Sequence, residues 1–170
     1  DYKNFEVIIV DNASTDGSFE AIKRFIDELK PKQKVKFIQS DRNRGYSGGM
    51  NLGFASVDLD SKYAVFLNND LVVDPQSLSA IIEYMETDEE VAATSGLIFY
   101  GDGKTIYSAG GIVTELGNAR GVCWMTELAE CPSSLKKHYV TYADGAYMVM
   151  KTHIIRRMSH LGKPFLDEAF

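Results

Sequence analysis

Asp70 closes the polar run Asn68-Asn69-Asp70, which follows the apolar stretch Tyr63-Ala-Val-Phe-Leu67 without a spacer. A carboxylate presented at a strand exit can hold a divalent cation. Magnesium or manganese bridging a diphosphate needs only one or two protein carboxylates, because phosphate oxygens and water complete the octahedron. A neighbouring amide such as Asn68 or Asn69 can donate to ribose or phosphate oxygens without adding competing negative charge. The same arrangement occurs earlier, where Val7-Ile-Ile-Val10 runs into Asp11-Asn12-Ala13-Ser14-Thr15-Asp16-Gly17. Asn12, immediately past the strand, offers a donor and an acceptor to a base edge. Ligands of open α/β sheets bind beyond the carboxyl ends of the strands, so two polar exits point to one shared site for a nucleoside diphosphate and its metal. Each segment also has a plainer reading: Asn-Asn-Asp makes turns, and Asp11, Asn12 and Asp16 are residue types that cap or shape the start of a helix.

The elements that must position these residues follow from periodicity. Phe19, Ile22, Phe25, Ile26 and Leu29 recur at helical spacing, with Ser18 as N-cap and Pro31 as the stop. Val35 to Gln39 reads as a strand, and the glycine-rich Gly45 to Gly53 leads into a short helix from near Ser47 to about Val57. Asp74-Pro75 starts another helix, with Leu78, Ile81, Ile82 and Met85 on its apolar face. Val91 to Tyr100 is the next strand. The order β-α-β-α-β-α-β predicts a doubly wound, mostly parallel sheet, and burial of both sheet faces would account for the unbroken apolar strands. In the second half, glycines break Ile106 to Trp124 into hairpin-like pieces, and Thr126 to Lys137 reads as an exposed loop. Strands are expected at Tyr139 to Thr141 and Gly145 to Lys151, and Thr152 as the cap of a helix from His153 to about Ser159.

Composition narrows the function classes. With 170 residues, 45% of them hydrophobic, the chain is long enough for one sizeable core. A net charge of -6 leaves no basic stripe for a nucleic-acid backbone. The densest basic stretch, Lys30 to Lys36, is read as solvated charge at a helix end. Cys123 and Cys131 match neither a zinc knuckle nor a redox pair, so they are assigned no chemistry and a reducing compartment is compatible. His138, His153 and His160 lack metal-ligand spacing. No apolar run approaches the roughly 18 residues of a membrane span and no signal-peptide pattern opens the chain, which is therefore read as soluble. The spacing from Gly45 to Gly53 is not that of a dinucleotide fingerprint, and neither a P-loop nor a G-x-S-x-G elbow is present.

Four segments in order carry a resemblance: Val7-Ile-Ile-Val-Asp-Asn-Ala-Ser-Thr-Asp-Gly-Ser18, Asn43-Arg-Gly-Tyr-Ser-Gly-Gly-Met-Asn-Leu-Gly53, Phe66-Leu-Asn-Asn-Asp70, and Asp144-Gly-Ala-Tyr-Met-Val-Met-Lys151 with Phe165-Leu-Asp-Glu-Ala-Phe170. Together they resemble the family-2 glycosyltransferases of GT-A fold, and most closely their rhamnosyltransferase-like bacterial branch. The resemblance implies an α/β, Rossmann-like, mostly parallel sheet with helices on both faces and a smaller mixed β region in the second half. It also implies a single catalytic domain over residues 1–170, incomplete at both ends, with a nucleotide-binding half, 1–100, and an acceptor-side half, 101–170.

The residue roles implied by the resemblance are these. Asn12 contacts the base and Asp11 supports the same strand exit. Residues 43–51, with Gly45 and Asn51, close over the nucleotide, and Arg44 is a candidate contact to the diphosphate or the base. Asn68-Asn69-Asp70 stands in for the DXD motif, with Asp70 as ligand of Mg2+ or Mn2+, and Asp144 lines the donor-sugar and acceptor side. Asn68 departs from the acidic first position of that motif, and the general base is expected beyond Phe170. The implied reaction is inverting transfer from dTDP-rhamnose or a UDP-sugar to a hydroxyl of a cell-surface glycan or lipid-linked acceptor. The implied location is the cytoplasm, including the inner face of the cell membrane by peripheral association. A non-catalytic sugar-nucleotide-binding or scaffold module is the alternative that the neutral Asn68 motivates. A sugar nucleotidyltransferase would require a glycine- and arginine-rich N-terminal loop, which is not visible here.

Overall fold

The computed structural model describes residues 1–132, 139–159 and 164–168. Two compact units emerge, one formed by Asp1–Ala64 with Lys151–Phe170 and the other by Val65–Met150. The halves expected at 1–100 and 101–170 are a functional division and do not coincide with these units.

In the first unit, β1 (Val7–Asp11) pairs in parallel with β2 (Val35–Gln39), in register from Val7 opposite Val35 to Asp11 opposite Gln39. Both strands are short apolar runs bounded by turn residues. Their crossover is α1 (Ser18–Leu29), whose buried Phe19 meets Phe37 of β2 edge to face, ring centroids 6.3 Å apart. Ser18 is the first helical residue and not the cap. Gly17 takes that place with φ of 81°, a left-handed conformation that costs glycine little, and the Asp16 carboxylate accepts from the Ser18 N–H. Next come α2 (Gly45–Phe54), which starts two residues earlier than its sequence suggests, and α4 (Thr152–Ser159). Thr152 is also inside its helix: it is buried, and its hydroxyl donates to the carbonyls of Ser61 and Lys62 instead of capping. Lys34 and Lys36 are not simply solvated. Lys36 Nζ lies 2.6 Å from Asp58 and 2.7 Å from Glu6, and Lys34 lies 2.9 Å from Asp58.

The remaining strands and α3 (Ser77–Thr87) centre on the second unit. A three-stranded sheet has the order β3 (Tyr63–Leu67), β9 (Tyr147–Lys151), β4 (Ala93–Ser95), with β4 antiparallel to β9. Its core includes Phe66, Ile82, Met85 and Val149. β3 buries only one face: Ala64 and Phe66 are covered while Val65 and Leu67 stay exposed, so the unbroken apolar run does not mean burial on both sides here. The expected strand Val91 to Tyr100 is interrupted after Ser95 and resumes as β5 (Ile98–Phe99). Gly96 lies at the break, where a Cβ would sit 2.3 Å from the ring of buried Tyr147. β5 pairs with β6 (Ile106–Ser108) and β7 (Gly111–Val113) with β8 (Ala119–Gly121), both antiparallel. In place of the strand expected at Tyr139 to Thr141, a single bridge joins Gly111 to Tyr142.

The cysteines are a correction. Cys123 and Cys131, assigned no chemistry from their spacing, form a disulfide, with Cα atoms 5.7 Å apart. The turn that brings them together places Cys123 and Met125 at positive φ and is tied to β6 by Ile106 N–H to Thr126 O and Met125 N–H to Ile106 O. The rest of the expected loop, residues 133–137, and His138 and His160 lie outside the described residues.

Candidate functional site

The exit of β1 is built by side chains that bind the backbone. Buried Asp11 accepts from the Ser14 N–H at 3.2 Å and from Gln39 Nε2 at 3.3 Å. Hydrogen bonding from Ser14 holds the Asp11 carboxyl below its ordinary value, against the opposing effect of desolvation, with Gln39 adding to the lowering. Asp11 thus shapes the turn. Asn12 reaches across to the start of α2: its Nδ2 donates to Asn43 Oδ1 at 3.0 Å and to Gly45 O at 2.9 Å, and its Oδ1 accepts from Arg44 N–H at 2.9 Å. Both amide hydrogens are engaged, leaving acceptor capacity on Oδ1.

Arg44 occupies the N-cap position of α2. Its Nε donates to Ser40 Oγ at 3.0 Å and its Nη2 to Asp41 at 2.7 Å. These bonds fix the guanidinium plane while using two of its five donors. The Asp41 carboxyl is held below its ordinary value, chiefly by hydrogen bonding from Arg44 and by its charge. Gly45 adopts φ of 67°, and its N–H donates to Asn43 Oδ1. Asn43, not singled out in the sequence for a role of its own, therefore receives two of the bonds that close this loop. The first turn of α2 behind it carries backbone amides that lack intrahelical partners by geometry and attract anions. Asn51, further along α2, is committed elsewhere: Nδ2 donates to Leu166 O at 2.8 Å and Glu168 Oε1 at 3.0 Å, and Oδ1 accepts from Leu166 N–H at 3.0 Å.

The exit of β3 is organised separately. The Asn68 N–H donates to Ala146 O at 2.9 Å, and the Ala146 N–H donates to Asp144 Oδ1 at 2.9 Å. The structure thus brings Asn68 against the segment 144–146, which lies 76 or more residues further along the sequence. Asn69 and Asp70 are exposed in a turn. Among the described residues no group of three or more His, Cys, Asp or Glu side chains gathers to hold a metal. One exposed carboxylate fits magnesium or manganese shared with a diphosphate, since such ions keep most of their coordination for phosphate and water.

The parallel pair β1–β2 with its helical crossover and polar carboxyl ends, and a separate sheet that includes an antiparallel strand, fit the architecture of a GT-A glycosyltransferase. The fold is shared with a solved mannosyltransferase from Pyrobaculum calidifontis, described in complex with GDP-Man and Mn2+, at a TM-score of 0.60 and 18% identity over 90% of this chain and 37% of that one. The model of the family "Glycosyl transferase family 2" matches residues 1–152, and the chain belongs to that family. An uncharacterized glycosyltransferase of Nostoc sp. is 33% identical over 109 residues, 64% of this chain and 32% of its own length. An uncharacterized glycosyltransferase of Haemophilus influenzae is 32% identical over 84 residues, 49% of this chain and 32% of its own length. A poly-beta-1,6-N-acetyl-D-glucosamine synthase of Staphylococcus aureus is 27% identical over 95 residues, 56% of this chain and 22% of its own length. The matched stretches thus amount to about a third or less of these curated relatives.

Proposed function

We propose that this chain is the donor-binding part of an inverting glycosyltransferase that moves a sugar from a nucleoside diphosphate, dTDP-rhamnose or a UDP-sugar, to a hydroxyl of a cell-surface glycan or lipid-linked acceptor. The observation that carries this reading is the clamp of Asn12 on Asn43, Gly45 and the Arg44 backbone, which ties a strand exit to a helix N-terminus where Ser40 and Asp41 fix the Arg44 guanidinium. Helix amides and an arginine at one place suit a diphosphate, and the free lone pair of Asn12 suits a base donor.

In this reading Arg44 and the first turn of α2 bind the diphosphate and stabilise the charge that grows on it as the sugar departs. Asp70 holds Mg2+ or Mn2+, with Asn68 and Asn69 donating to donor oxygens, and Asp144 borders the sugar. The ion, when bound, supplies Lewis-acid neutralisation of the leaving diphosphate. A carboxylate base takes the acceptor's proton as its oxygen attacks the anomeric carbon from the face opposite the leaving group. That base is assigned to none of the residues named here. The rhamnosyltransferase-like branch is supported by the four ordered segments. No helix among the described residues is long and apolar enough to cross a membrane, and contact with a lipid-linked acceptor at the cytoplasmic membrane face is part of the proposal.

Calorimetric titration of UDP and dTDP, with and without manganese, into the chain and its Asp70→Ala variant tests this. Metal-dependent binding that Asp70→Ala abolishes is the expected result. Metal-dependent binding that survives in Asp70→Ala removes the metal assignment, and no binding by the unmutated chain favours the non-catalytic scaffold.

A further inference from the structure

The carboxylate of Glu168 was given no role by the sequence, yet it lies against α2. Asn51 grips the segment 166–168 through three hydrogen bonds, two to the backbone of Leu166 and one to Glu168 Oε1. Phe165 adds a ring contact with Phe54, one helical turn from Asn51 (centroids 6.5 Å apart). Gly48 and Gly49 leave this face of α2 without side chains, and at Gly48 a Cβ would clash with Arg44. At the point where a Gly48 Cβ would stand, Arg44 Cβ is 2.5 Å away and the Glu168 carboxyl carbon 3.6 Å away, and from Gly49 the Asn12 amide nitrogen is 3.6 Å away. Glu168, Arg44 and Asn12 therefore border one glycine-faced stretch of helix surface.

The chemistry of a carboxylate at that place is restrictive. It repels phosphate and accepts hydrogen bonds without donating them. Only Oε1 is taken by Asn51, and among the described residues Oε2 has no hydrogen-bond partner. We propose that Glu168 accepts a hydrogen bond from a hydroxyl of the bound nucleotide sugar, and that Asn51 is the positioning residue that aims it. The inference rests on the donor-binding reading above. The hydroxyl belongs either to the ribose or to the transferred sugar, and the same experiment separates the two.

Titrations in manganese buffer compare the unmutated chain, Glu168→Gln and Asn51→Asp with UDP-glucose, UDP and 2′,3′-dideoxy-UDP, and with dTDP-glucose, dTDP and 3′-deoxy-dTDP. Glu168→Gln keeps the size of the side chain and an oxygen for Asn51, so the fold is retained. Loss of a charged hydrogen bond weakens binding by roughly tenfold or more. Weakening confined to the sugar nucleotides assigns the transferred sugar. Weakening for the sugar nucleotide and the plain diphosphate, with the ligand lacking ribose hydroxyls unaffected, assigns the ribose. Asn51→Asp, which places a second carboxylate against Glu168, should reproduce the same ligand pattern, and the double variant should lose little more than either single one. Unchanged affinities in Glu168→Gln, or equal weakening for every ligand, overturn the inference and leave the donor reading standing. An unmutated chain that binds none of these nucleotides overturns both.

Discussion

Replacing Asn12 by Asp is the sharpest test of the clamp, because the two side chains have nearly the same shape. The Arg44 N–H bond to Oδ1 survives and gains charge assistance. The other oxygen, however, stands where Nδ2 donated, about 3 Å from the acceptors Asn43 Oδ1 and Gly45 O. Two hydrogen bonds worth ~1 kcal/mol each are lost, and two acceptors now face a carboxylate. Asn12 is half-buried, so solvent softens the repulsion, and the charge-assisted bond to Arg44 offsets part of it. The net cost at neutral pH is about 2–3 kcal/mol, a shift of roughly 1 M in the urea midpoint at a typical slope. The pH dependence is diagnostic. Facing acceptors raises the folded-state pKa of the introduced acid above its unfolded value, so the folded variant binds the proton more readily. The deficit should shrink as pH falls below that raised value, where the protonated acid regains one donor. Urea midpoints at pH 7 and pH 4.5, each against the unmutated chain, check both points. A deficit under ~0.5 kcal/mol at pH 7, or one independent of pH, would refute the clamp as drawn.

Other consequences are equally open to measurement. Replacing Cys123 and Cys131 by Ser frees a loop with a sequence separation of 8, which should cost about 2–3 kcal/mol by chemical denaturation, and an unchanged midpoint would mean that the β6 hydrogen bonds alone hold the turn. Asp58, pulled down to about 2 chiefly by its hydrogen bond from Lys36 and then Lys34, adds stability that is present above its ordinary value of 3.8 and lost as pH falls through about 2. Denaturation midpoints between pH 5 and 2 should therefore fall less steeply in Asp58→Asn, with Asp102, also held at about 2, supplying part of the remaining slope. Gly96→Ala forces a methyl into the Tyr147 ring, whose hydroxyl accepts from Ser77 Oγ, and should lower stability by roughly 1–3 kcal/mol in a melting experiment. An unshifted melting temperature would show that the ring moves aside freely.

The sequence by itself determined what is local. β2 and β3 stand where their apolar runs placed them, and β1 extends its run by one residue, because a short run of Val, Ile and Phe between turn residues has few other ways to bury itself. Family membership was legible too, since four ordered segments survive translation into any set of contacts. Helix starts were less so: Ser18 and Thr152 each fell one residue inside the helix they were expected to cap, because competing carboxylates and carbonyls nearby decide which group receives the backbone or the hydroxyl. Tertiary structure alone decided partners. Asn12 turned its amide to a loop more than 30 residues away, Asn51 to Leu166 and Glu168 across 115 and 117 residues, and Cys123 to Cys131 through a turn at positive φ. Composition and spacing report what a side chain can bond. Which of its possible partners comes within 3 Å is fixed only when the elements pack, so the reach of Asn51 to Glu168 had no sequence signature.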